Sequence, residues 1–193
     1  MERRHTCRLV MKNDVSGIIA ELEDIESAVR TDLAPLSVEQ LNWRPSPDAW
    51  SAGQCLDHVI RSNESFFGEF DKLAAGTRTN SFWETWSPLS SLAGNFLVKS
   101  LKADDKKVKT ISKMTPPSEI DGAIVDIFLG HQTILAGKIR AVENTDWEKT
   151  VVTSPFLGLM TYRLSAGLQA IIEHEKRHIR QAVRVTEAEG FPR

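Results

Sequence analysis

The chain has 193 residues, 41% of them hydrophobic and 26% charged, which is the balance of an ordinary globular protein with enough length for one domain and a substantial core. Its formal net charge of −2 creates no global field that would draw nucleic acid or an acidic membrane surface. No apolar run approaches the ~18 residues of a membrane span, and two cysteines, Cys7 and Cys55, are too few for a disulfide framework.

Residues 1–12 are basic and lack the apolar run of a signal peptide, so they read as a flexible extension of a cytoplasmic protein kept in a reducing compartment. A first helix is expected from Asp14 to Arg30, where Ile18, Leu22, Ile25 and Val29 recur at helical spacing. It should stop before Pro35, because the residue ahead of a proline resists the α conformation. Ser37 to Leu41 reads as a short helical turn with a serine cap, and Trp43 to Asp48 as a proline-rich loop. Ser51 with Gln54 three residues on forms a capping box, which opens a second long helix running to Ala75 and stopping at Gly76. Its apolar stripe is Leu56, Val59, Phe66, Phe67 and Phe70.

Residues 77–117 are the least regular part of the chain. A long loop anchored by Trp83 and Trp86 is expected first, then a short or broken helix over Leu89–Leu101. A solvated charge run follows over Ala103–Lys113. The third long helix is expected from Ser118 to Val142, with Ile124, Ile127, Phe128, Ile134, Leu135 and Ile139 as its stripe and His131 as an ordinary helical histidine. After a loop over Ser154–Thr161, a fourth helix runs from Tyr162 to Glu189, where Gly190 and Pro192 end it. With no convincing strand and one long connection, the natural architecture is all-α: a four-helix bundle whose long crossover lies between helices two and three.

His174 and His178 sit four residues apart in the fourth helix, about 40° apart around its axis and in one sector with Leu164, Ile171, Ala182 and Val185. They therefore point inward, where two imidazoles need hydrogen-bond partners or a shared metal ion. The run His174-Glu175-Lys176-Arg177-His178 also matches the H-E-x-x-H order of metalloproteases, with Glu175 in the general-base position. His58 lies roughly 140° from the centre of the second helix's apolar stripe, on a side shared with Ser62 and Ser65. It is either exposed or turned into a polar pocket. Cys55, one turn earlier, reads as a packing residue. No G-x-G-x-x-G or Walker pattern is present, and basic and aromatic residues are not interleaved, so neither a nucleotide cofactor nor a nucleic-acid partner is expected.

Three stretches, taken in order, resemble the DinB/YfiT-like family: the W-S-x-x-x-x-x-x-H run of Trp50–His58, the hP-x-x-G loop of Ser154–Gly158, and the H-x-x-x-H-x-x-Q helix of His174–Gln181. The resemblance covers residues 14–192 and implies an up-down-down-up four-helix bundle that forms a homodimer. It also implies a divalent transition metal held by His58, His174 and His178, with zinc the default and nickel or iron suited almost as well. Ser62 and Ser65 would line the pocket, and Glu175 would be a neighbour of the site. Characterised relatives look like thiol-S-transferases and thiol-dependent isomerases. The implied activity is therefore transfer of a low-molecular-weight thiol to an electrophilic small molecule. A hydrolase activating water with Glu175 as base, and a metal-binding bundle without turnover, remain as alternatives.

Overall fold

The computed structural model describes residues 14–86, 90–102 and 114–193; the basic extension and the whole charge run expected from the sequence lie outside these residues. Helix α1 covers Val15–Asp32, and Asp14 caps it by accepting from Gly17 N. Its inward stripe is Ile19, Leu22, Ile25 and Val29, with Ile18 only partly buried. Helix α2 (Val38–Asn42) and helix α3 (Ala52–Ala74) each open on a complete capping box, Ser37 with Gln40 and Ser51 with Gln54. Gly76 adopts φ 64° directly after the α3 cap, a left-handed turn that glycine enters without a Cβ clash.

The crossover contains helix α4 (Phe82–Thr85) and helix α5 (Ser90–Lys102). Trp86, expected to anchor this stretch, is instead 75% exposed, because the fastening is polar. The Arg78 guanidinium pairs with Glu69 of α3 and Glu84 of α4 and donates to the Val151 carbonyl. Helix α5 then lies on the last helix, closely enough that a Cβ at Gly94 would come within 2.6 Å of the Ala166 Cβ.

Helix α6 covers Ile124–Ala141 and begins six residues later than its periodicity predicts. The reason is tertiary. Asn42 accepts from Ile120 N and donates to Ile120 O, and Gln54 donates to Pro117 O, so backbone groups of 117 and 120 are engaged by side chains of α2 and α3 instead of by a helix ladder. The predicted stripe is also corrected at two positions. Ile127 and Ile134 are exposed, and Val125 and Leu129 are buried in their place.

Two short strands, absent from the sequence reading, precede the final helix. β1 (Val151–Thr153) pairs antiparallel with β2 (Thr161–Arg163), placing Val152 opposite Tyr162. Both of those side chains are buried, and β-branched and aromatic residues suit a pleated, half-buried surface. Helix α7 therefore starts at Leu164 and runs to Thr186.

Helices α1 and α3 each pack against α6 and α7, which closes the bundle. Phe67 stacks on His131 and Asp71 pairs with Lys138, so α3 and α6 run parallel, as the long crossover allows. Against α7 the order reverses: His58 meets His178 while Asn63 meets Glu175. Among the described residues no helix is long and apolar enough to cross a membrane.

Two predictions follow from these contacts. Ser51→Ala removes an acceptor that serves a buried helix start, and should lower the unfolding free energy in urea by about 1 kcal/mol. His131 is buried against Phe67 with no partner for Nε2, and burial pulls its pKa down to about 4. Its folded value lies below the unfolded 6.5, so stability is unaffected above that pH and declines as pH falls from 6.5 toward 4, where only the unfolded chain takes up the proton. In His131→Leu the loss of stability between pH 7.5 and pH 5 should be smaller by about 2 kcal/mol.

Candidate metal centre

His58 occupies the second turn of α3, while His174 and His178 occupy successive turns of α7, the antiparallel neighbour. Their ring centroids are 5.1 Å apart for His58 and His174 and 4.5 Å for each of the other two pairs. One ring nitrogen from each lies within 4.8 Å of the others. The side of α3 that looked detached from its apolar stripe is thus turned toward α7, and His58 is buried there.

The hydrogen bonds fix which nitrogens are available. His58 Nδ1 is 2.7 Å from the Met114 carbonyl oxygen, which can only accept, so Nδ1 carries the proton and Nε2 keeps its lone pair. His178 Nδ1 lies 3.0 Å from Gln181 Oε1, which assigns its proton in the same way. His58 Nε2 and His174 Nε2 are 3.3 Å apart, close to the edge of about 3.3 Å expected for a tetrahedron with metal–nitrogen bonds of roughly 2.0–2.1 Å. Burial lowers the pKa of His58 despite the bond to Met114. Burial lowers that of His174 well below the usual imidazole range, and the neighbouring His178, His58 and Arg177 push it the same way by disfavouring a further positive charge. Both are therefore neutral near pH 7, the state a metal ligand requires. On donor type, spacing, protonation and the orienting groups behind the rings, the three residues fit a divalent transition metal.

The indole of Trp50 covers one side, 4.8 Å from the His58 ring and 5.8 Å from that of His178. Ser62 is buried one turn beyond His58, and the Ser65 hydroxyl donates back to the Ser62 carbonyl at 2.5 Å. Cys55 is fully buried and its thiol is pushed up to about 12, so it stays protonated and packs as expected.

Glu175 turns away from the three rings. Its carboxyl is fully buried, with Oε1 accepting from Asn63 Nδ2 at 2.6 Å and Oε2 from Gln132 Nε2 at 2.7 Å. Burial raises its pKa to about 7 against the effect of those two bonds. His131 likewise stands apart from the cluster, beside Phe67.

Sequence reasoning missed the orienting partners. Gln181 was within reach, being three residues from His178 on the same helical face. Met114 was not, since it lies 56 residues from His58 and acts through its backbone. No curated protein and no solved structure matches the chain. A model of the DinB superfamily does, over residues 21–182, a span that contains α3, most of α7 and all three histidines. The chain belongs to the DinB superfamily.

Proposed function

We propose that the protein is a divalent-metal-dependent enzyme that holds its metal with His58, His174 and His178 and transfers a low-molecular-weight thiol to an electrophilic small molecule. The observation that carries this reading is the convergence of three imidazoles, two of them with the opposite ring nitrogen tied to an oxygen acceptor. When bound, the metal supplies Lewis acidity that keeps a thiol or a water ionised at neutral pH. Zinc suits the donor set first, and nickel or iron next.

The chain's own groups do the rest. The Met114 carbonyl and Gln181 hold a proton on Nδ1 of His58 and His178, which keeps both rings in one orientation. Trp50 covers two of the rings and keeps bulk water from them. Ser62 and Ser65, on the polar side of α3, line the pocket in this reading.

A thiol is favoured over water for a stated reason. The cluster contains no carboxylate among the described residues, and both oxygens of Glu175 are already engaged by amides, so Glu175 is not aimed at the site as a general base. A thiol starts from a pKa of about 8.5 and a water from about 15.7, so the thiol ionises with far less assistance. Transfer then forms a carbon–sulfur bond, the electrophile's leaving group departs with its electron pair, and the thiol proton goes to solvent. The free, buried Cys55 accords with a reducing, cytoplasmic setting.

Elemental analysis of the purified protein should find about one equivalent of transition metal, absent from folded His58→Ala and His178→Ala. Gln181→Leu should keep the site and weaken metal affinity by roughly 10- to 100-fold. Because burial lowers the pKa of His58 and His174, protons should displace the metal only below pH 6.5. A folded wild type that takes up neither zinc nor nickel would sink the reading. With metal in place, consumption of an electrophile should require added thiol. Turnover of an ester or amide without thiol would instead establish the hydrolase alternative.

A further inference from the structure

Helices α5 and α7 run side by side in the same direction, with Gly94 beside Ala166 near one end and Lys102 facing Glu173 at the other. Between them lies a cleft of about 420 Å³, within the roughly 300–1,000 Å³ of small-molecule sites. Asn95, Val98, Lys99 and Lys102 form its α5 wall at steps of three and four residues, one helical face about 10 Å long. Ser165 and Gln169 stand on the α7 wall, and Arg163 and Glu148 close the end nearer the hairpin. The cleft is not the metal centre. Ser165 and Gln169 lie roughly 160° round α7 from the mid-line of His174 and His178, which face α3.

The charge of the cleft is lopsided. Its one carboxylate, Glu148, is already bonded to Arg163 at 2.9 Å. Lys99 is exposed and has no ion-pair partner among the described residues. Lys102 faces Glu173 at 3.6 Å, longer than the roughly 2.7–2.9 Å of a close charge-assisted hydrogen bond. Lys99 and Lys102 are three residues apart, so their stems leave α5 about 5–6 Å from each other and both ammonium groups can meet one anionic group. Nearer the hairpin, the Asn95 amide and the Ser165 hydroxyl have no hydrogen-bond partner among the described residues. Gln169 gives a single N–H to Glu173 and keeps its carbonyl oxygen. A neutral ligand would leave the two ammonium groups unmatched, and a cation would be repelled by them.

We propose that this cleft binds a small organic anion, its carboxylate or phosphate held between Lys99 and Lys102 and its polar body on Asn95, Ser165 and Gln169. Val98 supplies the apolar cover between those ends. The site stands independently of the metal reading, since it shares no residue with the three histidines.

The test is a titration of the isotope-labelled full chain, followed by two-dimensional amide NMR, with glycerol phosphate, glycerate and uncharged glycerol. Either acid should shift the amides of 95–102 and 163–169 saturably, with a Kd of about 1 mM, and the tighter of the two identifies the preferred acidic group. Glycerol should leave those amides in place. Lys99→Glu should weaken binding by about tenfold and Lys102→Gln by about threefold, with helicity unchanged. Because an open metal site also takes up carboxylates and phosphates, the titration is repeated on His58→Ala, which should bind as the wild type does. Binding lost in His58→Ala would overturn the proposal, as would binding unchanged in Lys99→Glu or the absence of saturable shifts along the cleft.

Discussion

Glu175 is fully buried where α7 meets α3 and α6, and each of its oxygens accepts from an amide on a different neighbouring helix. A carboxyl in that position costs several kcal/mol unless donors meet it, so the two bonds act as a register constraint and not as decoration. Sliding α7 by one turn, about 5.4 Å, would strand Glu175, Asn63 and Gln132 together. His174 is the residue before Glu175, and His58 lies a little over one turn before Asn63. The bonds that set α7 against α3 and α6 therefore also set the distance between the histidines.

The centre combines two opposing demands. Metal ligation needs imidazoles with free lone pairs, and burial supplies them by disfavouring the protonated ring. Burial also removes water from the other ring nitrogen, which then needs a protein acceptor. The Met114 carbonyl and the Gln181 amide meet that need for His58 and His178. Trp50 packs its indole against the rings of the same two histidines.

The crossover shapes which faces are left open. Helix α5 docks on α7 and β2, and the hairpin of β1 and β2 gives it a platform; the Arg78 cluster fastens the start of the crossover to α3, α4 and β1. Among the described residues, the crossover packs chiefly on α7 and β2, and the buried side of α6 faces α1 and α3. The outward residues of α6 keep an apolar, helix-periodic pattern that the chain's own described elements do not use.

Much of the fold was legible in the sequence because its signals are local. Both predicted caps, the stripe of α1 and the extents of α2, α3 and α5 depend on residues within a few positions of one another. The pair His174 and His178 was legible for the same reason, since helical geometry alone puts both on one face. The failures share one cause. The late start of α6 depends on Asn42, which lies 78 residues from Ile120. Periodicity places Ile127 and Ile134 on the stripe of α6 but cannot say which edge of that stripe meets α1 and α3, and they fall on the open edge. The sequence by itself determined the helices, their caps and the residue types of a three-histidine site. Only the tertiary structure decided that His58 faces α7, that the Met114 carbonyl holds its ring, and that Glu175 belongs to the core, because each depends on groups that meet only after the helices have packed.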